Sequence, residues 1–236
     1  MMVPGARDLE PPPNDMRWIG FLGATVPSET RDGRKWDATG NSAPDPYATL
    51  KLKNKVIIKT SVQSNTTSPT WPDSPAGNFR LGPRDHFRVE LWDSNPLTDH
   101  PIGVKDAVSL SDDSTSNGKL ELVLDTGAEI VIGVEPPRAR WGLGLFYELR
   151  VGEVYVTRVY QECPASRAGL KAGDQILELD GRPVAKMKEG EVQSVLNKAH
   201  LTDLSMRLRH KDGSQIKVDV KDGAIYPLYE EVGALR

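Results

Sequence analysis

Between residues 18 and 134 the chain offers eight short apolar runs and no helical period, a pattern that leaves few architectures open. The runs are Trp18–Thr25, Tyr47–Leu52, Val56–Ser61, Phe79–Leu81, Phe87–Leu91, Val104–Ser109, Leu120–Leu124 and Glu129–Val134. Each is rich in Val, Ile, Leu or aromatic residues, and Pro, Asp, Asn, Ser and Gly separate them. Short strands punctuated in this way predict an antiparallel sandwich. The 21 glycines and 18 prolines among 236 residues supply the turns such a fold needs.

The remainder mixes strands with helices. Leu143–Leu149, Val154–Tyr160, Gln175–Leu179, Leu204–Arg209 and Ile216–Val220 read as strands. Ala165–Lys171 reads as a short helix, and Glu191–Ala199 as a second with Val192, Val195, Leu196 and Ala199 on one face. That predicts a small, partly closed sheet capped by two helices. Glu135-Pro136-Pro137-Arg138 marks the boundary, and the charge changes sign across it. Residues 1–137 hold 14 Lys and Arg against 19 Asp and Glu, and the rest hold 16 against 14. The expected organisation is a leader over 1–15, a sandwich over 16–136, a second domain over 138–222 and a tail over 223–236.

Composition removes several classes. The net charge of -3 gives no sign of a nucleic-acid binder. No apolar run approaches the roughly 18 residues of a membrane-spanning helix. The first residues lack an apolar signal core, so the expected location is the cytoplasm, with an extracytoplasmic one left open. One cysteine, Cys163, rules out a disulfide framework or a thiolate-rich metal site.

Two loops of the first half concentrate oxygen atoms. Asp37 and Asp45 precede the Tyr47 strand, and Asp93, Asn95 and Asp99 follow the Phe87 strand. Such residues also make ordinary turns. Clustered at one end of a sandwich, however, the carboxylates repel each other, and a hard cation with 6–8 oxygen ligands relieves that. These stretches resemble a C2 domain. "DATGNSAPDPYATLKL" is similar to its first calcium-binding loop, and "VELWDSNPLTDHPIG" to its third, with an Asp-x-Asn variant. "SNTTSPTWPDSPAGNFRL" resembles the family's Pro-x-Trp segment through Pro69, Trp71 and Phe79. The resemblance implies an eight-stranded antiparallel β-sandwich that binds calcium and then phospholipid. Carried over by position, the calcium ligands are Asp37, Asp45, Asp93, Asn95 and Asp99, with Asn65 from the second loop. Asp37 and Asp45 stand farther apart than the pattern expects, and Asn95 replaces an acid, which weakens the site.

For membrane contact, the loop tips offer Ala43, Pro44, Pro96 and Leu97 as an apolar wedge. Lys51, Lys53, Lys55 and Lys59 form an alternating basic stripe, which is either a lipid-attracting surface or a protected edge strand.

In the second half, Gly142-Leu143-Gly144-Leu145-Phe146 precedes a strand, and closely spaced glycines let backbone amides converge on a carboxylate. With Pro164-Ala165-Ser166-Arg167-Ala168-Gly169-Leu170 and Gly173-Asp174-Gln175-Ile176-Leu177 behind it, this region resembles a PDZ domain, of bacterial style. The resemblance implies a partly open β-barrel with two helices. Its groove takes a C-terminal or internal peptide by strand addition, using Gly142, Leu143, Gly144, Leu145 and Phe146, with Val192 and Leu196 lining the pocket. The residue at the start of the facing helix is Glu189, so no preference for Ser or Thr in the ligand is implied.

The four histidines fit no triad with a serine or cysteine, so no catalysis is expected. The reading is a calcium-dependent, phospholipid-binding scaffold at the membrane periphery. The rival is a calcium-independent interaction protein or an accessory of a protease or secretion system.

Overall fold

A computed structural model of the chain describes residues 12–36, 43–81, 84–110, 117–197 and 203–230. These divide into two compact units, one of residues 12–138 with 228–230 and one of residues 139–227.

In the first unit eight strands form two four-stranded antiparallel sheets. One holds β1 (Met16–Thr25), β4 (Ala76–Arg80), β7 (Lys119–Val123) and β8 (Glu129–Glu135), in the order β4-β1-β8-β7. The other holds β2 (Pro46–Leu52), β3 (Lys55–Lys59), β5 (Phe87–Asp93) and β6 (His100–Val108), in the order β3-β2-β5-β6. The eight expected runs are these strands, each within a few residues of its predicted ends. Their inward side chains, among them Ile19, Phe21, Leu50, Leu91, Ile102 and Ile130, make one buried core between the sheets. Trp71 is 2% exposed at its rim. It meets Phe21 edge-to-face at 6.2 Å, and its indole N–H donates to the Ser61 carbonyl at 2.9 Å.

The strand pairing sets the functional end. β2 runs antiparallel to β5 with Pro46 opposite Asp93 and Leu52 opposite Phe87. The loop entering β2 therefore lies beside the loop leaving β5.

The second unit has its own core, which includes Val154, Ile176, Leu179, Met206 and Leu208. Its main sheet runs β10 (Leu145–Arg150), β11 (Glu153–Val159), β12 (Gln175–Leu179), β14 (Leu204–Arg209), β15 (Gln215–Val220), with β13 (Arg182–Pro183) beside β12. The sheet stays open: β10 pairs with β11 on one side only among the described residues. Helices α1 (Pro164–Arg167) and α2 (Glu189–Asn197) flank it. The first is shorter than the sequence predicts, because Gly169 turns left-handed at φ +92° and ends it.

Two pieces expected to be irregular are ordered. β16 (Gly223–Ile225) pairs with β9 (Arg140–Gly142), so residues assigned to the tail belong to the second unit. Beyond it, Leu228 bridges Asn78 in parallel, and Tyr229 stacks on Phe79 with centroids 5.2 Å apart. Asn78 also accepts from the Arg138 N–H at 2.8 Å and donates to its carbonyl at 2.9 Å. One strand of the sandwich thus pins the chain where it leaves the first unit and where it returns.

Candidate functional site

At the loop end of the sandwich the structure joins five of the six expected ligands by hydrogen bonds. Asp93 is 1% exposed at the end of β5, and its Oδ1 accepts the Asp45 N–H at 2.7 Å. Its Oδ2 accepts from the Asn95 side-chain amide at 3.0 Å. Asp45 Oδ1 in turn accepts the Asn65 N–H at 2.6 Å, and Asn65 Oδ1 accepts the Ala43 N–H at 2.7 Å. Asn65 reaches this pose through a left-handed backbone, φ +54°, which asparagine tolerates. Asp99 accepts the Asn95 N–H at 3.1 Å and the Tyr47 hydroxyl at 2.8 Å. Asp37, the sixth, lies outside the described residues.

Two further side chains belong to this cluster, and the sequence reading gives them no role in it. Tyr47 donates to Asp99, and Lys59 lies 4.2 Å from the Tyr47 ring centroid. The Tyr47 hydroxyl holds the Asp99 carboxyl below the usual carboxylate range, helped by the Asn95 N–H and the Lys59 charge. Burial, with Asp99 adding to it, pushes the Tyr47 phenol up to about 12. Asp99 is therefore an anion and Tyr47 a fixed donor across the ordinary pH range. The signal for Tyr47 is in the sequence: Asp-Pro-Tyr puts it two residues after Asp45, at the start of the strand. Among the described residues no group of three or more His, Cys, Asp and Glu side chains gathers closely enough to hold a metal ion.

The apolar tip is narrower than expected. Leu97 is 98% exposed beside exposed Pro96, whereas Pro44 is buried and its carbonyl accepts the Thr66 N–H. Val62, 43% exposed in the neighbouring loop, adds apolar surface that the sequence reading does not pick out.

The basic stripe does not stand free. Lys51 reaches across to Glu90 on β5 at 2.8 Å, and Arg88 holds the same carboxylate at 2.6 Å. Arg88 also pairs with Asp106 at 2.7 Å. Lys53 and Asn54 form the tight turn between β2 and β3, with φ +49° and +64°, and Lys55 is exposed after it. Of the four lysines of the stripe, Lys51 is committed to Glu90 and Lys59 lies over the Tyr47 ring, while Lys53 and Lys55 face solvent at the hairpin turn.

In the second unit the Gly142–Leu145 segment forms the entry to β10. The Leu143 carbonyl accepts the Ala165 N–H at 2.9 Å, and the Gly144 carbonyl accepts the Tyr160 N–H at 2.8 Å. The Cys163 thiol adds a weak bond to the Gly144 carbonyl at 3.5 Å. In a trans peptide the carbonyl and the following N–H point opposite ways. With both carbonyls turned into the fold, the Gly144 and Leu145 N–H groups face outward at the start of an unpaired strand edge. That geometry suits a carboxylate followed by an extended peptide. Leu145, Phe146 and Tyr147 are half-buried along the edge strand, and Phe146 packs edge-to-face on Tyr160 at 5.1 Å. On α2, Val192 and Leu196 are 2% and 7% exposed and pack into the core, with Val192 also lining a cleft beside β10.

The described residues thus form a two-sheet antiparallel sandwich with an oxygen-rich loop end, followed by an open sheet with two helices and a glycine-shaped strand entry. The family profile described as "C2 domain" matches residues 25–121, and the one described as "PDZ domain" matches residues 155–221. The chain carries a C2 domain followed by a PDZ domain.

Among solved structures the chain is similar to a PDZ domain protein from Parabacteroides distasonis, at 22% identity and TM-score 0.33, over 37% of this chain and 21% of that one. It therefore spans about a fifth of that protein's length. It is also similar to the calcium-bound tandem C2 domains of Extended-Synaptotagmin 2, at 13% identity and TM-score 0.42, over 89% of this chain and 85% of that one. A third is the HtrA3 PDZ domain bound to a phage-derived ligand, at 16% identity and TM-score 0.30, over 37% and 90%. A search of curated protein sequences finds no match.

Proposed function

We propose that this protein acts by binding rather than catalysis, as a scaffold that docks its C2 domain on phospholipid with calcium and presents a PDZ groove to a protein C-terminus. The observation that carries the reading is the cluster of Asp45, Asp93, Asp99, Asn65 and Asn95, which adjoining loops bring to one end of the sandwich beside the exposed Leu97.

An all-oxygen donor set suits a hard cation. As they stand, the described carboxylates do not gather closely enough to hold a metal ion, so Asp45, Asp93 and Asp99 would hold calcium only on moving together, with Asp37 as a further proposed ligand. When bound, calcium would supply positive charge to an acidic surface, and so would turn it from repelling to accepting anionic headgroups. The chain's own part is to orient the carboxylates through the Asn65, Asn95 and Asp45 amides and to offer Leu97 to the acyl boundary. Burying a leucine is worth about 1.5–3 kcal/mol.

A ligand that binds only the folded state raises its stability by mass action. Addition of about 1 mM calcium, the weak end of natural sites, is expected to raise the melting temperature of the sandwich relative to chelator, with magnesium giving much less. No shift would exclude the calcium part. In liposome sedimentation Leu97→Asp is expected to lower partition by about tenfold or more, from the lost burial. The melting temperature should stay put, because Leu97 is 98% exposed in the free protein. Equal partition of the two proteins would remove the loop tip from the membrane contact.

One observation favours the calcium-independent rival. Asp45, Asp93 and Asp99 already accept amide or hydroxyl donors, so the loops hold their shape through hydrogen bonds of the chain itself. Under that reading liposome binding survives chelation, and the same sedimentation assay reads it.

A further inference from the structure

The groove reading above fixes a register, and the register leads to a second anchoring site for the ligand. With a terminal carboxylate on the Gly144 and Leu145 amides, a peptide running antiparallel to β10 sets its last residue opposite Leu145. Each earlier residue then faces one position further along, so the fourth residue before the last lies opposite Leu149. Side chains two apart share a face in a strand, so that residue points to the same side as the terminal one, toward α2.

At that place the second unit has a cleft of about 310 Å³. Leu149 from β10, Val184, Met187 and Val192 form its apolar wall, and Glu153 and Glu189 stand on its rim. Arg150, the one cation lining it among the described residues, is held by Glu148 at 3.1 Å. Glu153 accepts only neutral donors in the hydrogen bonds seen, from Tyr155 at 3.0 Å and Gln175 at 3.1 Å. No ion pair holds Glu189 among the described residues, and it is exposed at the first turn of α2. An apolar wall under an acidic rim suits a side chain with a long aliphatic stem and a cationic head.

We infer that the cleft between the β10–β11 hairpin and the start of α2 is a subsite for a lysine or arginine four residues before the ligand's C-terminus. The ligand class is thus an extended basic-upstream tail of at least five residues. The subsite rests on the groove reading, and its test separates the two.

The full chain is titrated by fluorescence polarisation into eight-residue peptides ending in valine, with lysine, leucine, alanine or glutamate at the fifth residue from the end. An amidated copy of the lysine peptide completes the set. The lysine peptide is expected to bind about fivefold tighter than alanine, the gain of one partly exposed charge pair, and glutamate weakest. Glu189→Gln is expected to level lysine with alanine, and Glu189→Lys to favour glutamate. Leucine matching lysine, or an unchanged order in both variants, overturns the subsite while leaving the groove intact. If no peptide binds, or the amide binds as well as the acid, the groove reading falls and takes the subsite with it.

Discussion

Gly144→Ala is expected to destabilise the PDZ domain by about 2–5 kcal/mol and to abolish binding of a C-terminal peptide. The backbone there is left-handed, at φ +80°, a region that costs an L-residue about 1–2 kcal/mol. A Cβ at that position also meets the Cys163 side chain, 2.5 Å from its Sγ, and overpacking of this kind costs typically 1–3 kcal/mol. The clash cannot relax cheaply. Cys163 is fully buried, caps α1 by accepting the Ser166 N–H at 3.4 Å, and bonds to the Gly144 carbonyl. Movement of either partner turns the Gly144 carbonyl and with it the outward Leu145 N–H. Hydrogen exchange at β11, β12 and β14 amides reads the stability of this domain alone. The double variant Gly144→Ala with Cys163→Gly removes the steric part and keeps the dihedral part, so a double-mutant cycle should recover about half of the loss. A Gly144→Ala chain with normal exchange and normal peptide affinity would show that the strand entry is not the carboxylate site.

The sheets are legible in the sequence because alternation and turn residues are local signals. Leu204–Arg209 and Gln175–Leu179 match their predicted ends to the residue, and the sandwich strands match to within a few. The elements that escape a sequence reading are those too short to show a period. β13 has two residues, while β9 and β16 have three each and exist only by pairing with one another across about 80 residues of chain. The acidic loops are legible as composition, since Asp-Pro-Tyr and Asp-Ser-Asn carry their own turn chemistry. Their connections are not. That Asp93 accepts the Asp45 amide follows from β2 pairing with β5, which no window of sequence contains. Lys51 shows the same limit. Alternation with Lys53 and Lys55 gives it the look of a cationic stripe, but Glu90, which neutralises it, lies on the facing strand. Pro44 looks like a loop tip because proline marks turns, and pairing with the Thr66 loop buries it.

Acidification from pH 6 to pH 2 is expected to take about 3 kcal/mol from the C2 domain through Glu90 alone. This glutamate is 3% exposed in the middle of β5. Burial by itself pushes its carboxyl up, yet hydrogen bonds and charge from Lys51, Arg88 and Trp92 outweigh burial and bring it down to about 2, against 4.5 for a free glutamate. Thr49 adds a fourth donor at 3.1 Å. A carboxyl whose pKa is lower in the folded chain favours folding above its unfolded pKa, and that contribution fades as the pH falls through the folded value. Each unit of difference is worth about 1.36 kcal/mol, which gives the figure of about 3. Urea unfolding of Glu90→Gln and the parent at pH 7 and pH 2 isolates this residue, because every other carboxylate cancels between the two proteins. The parent should lead by about 3 kcal/mol at pH 7 and by almost nothing at pH 2. A lead that persists at pH 2 would mean that packing, not charge, makes Glu90 matter. The same variant has a consequence at the membrane. Glu90 and Asp106 hold Lys51 and Arg88 as a neutral patch on the outer face of the sheet. Removing the Glu90 charge leaves cations facing outward, each worth about 1 kcal/mol at an anionic surface. Glu90→Gln should therefore bind phosphatidylserine vesicles about fivefold more tightly at low salt, and the gain should vanish in high salt. If the variant gains nothing, the sheet face does not approach the bilayer.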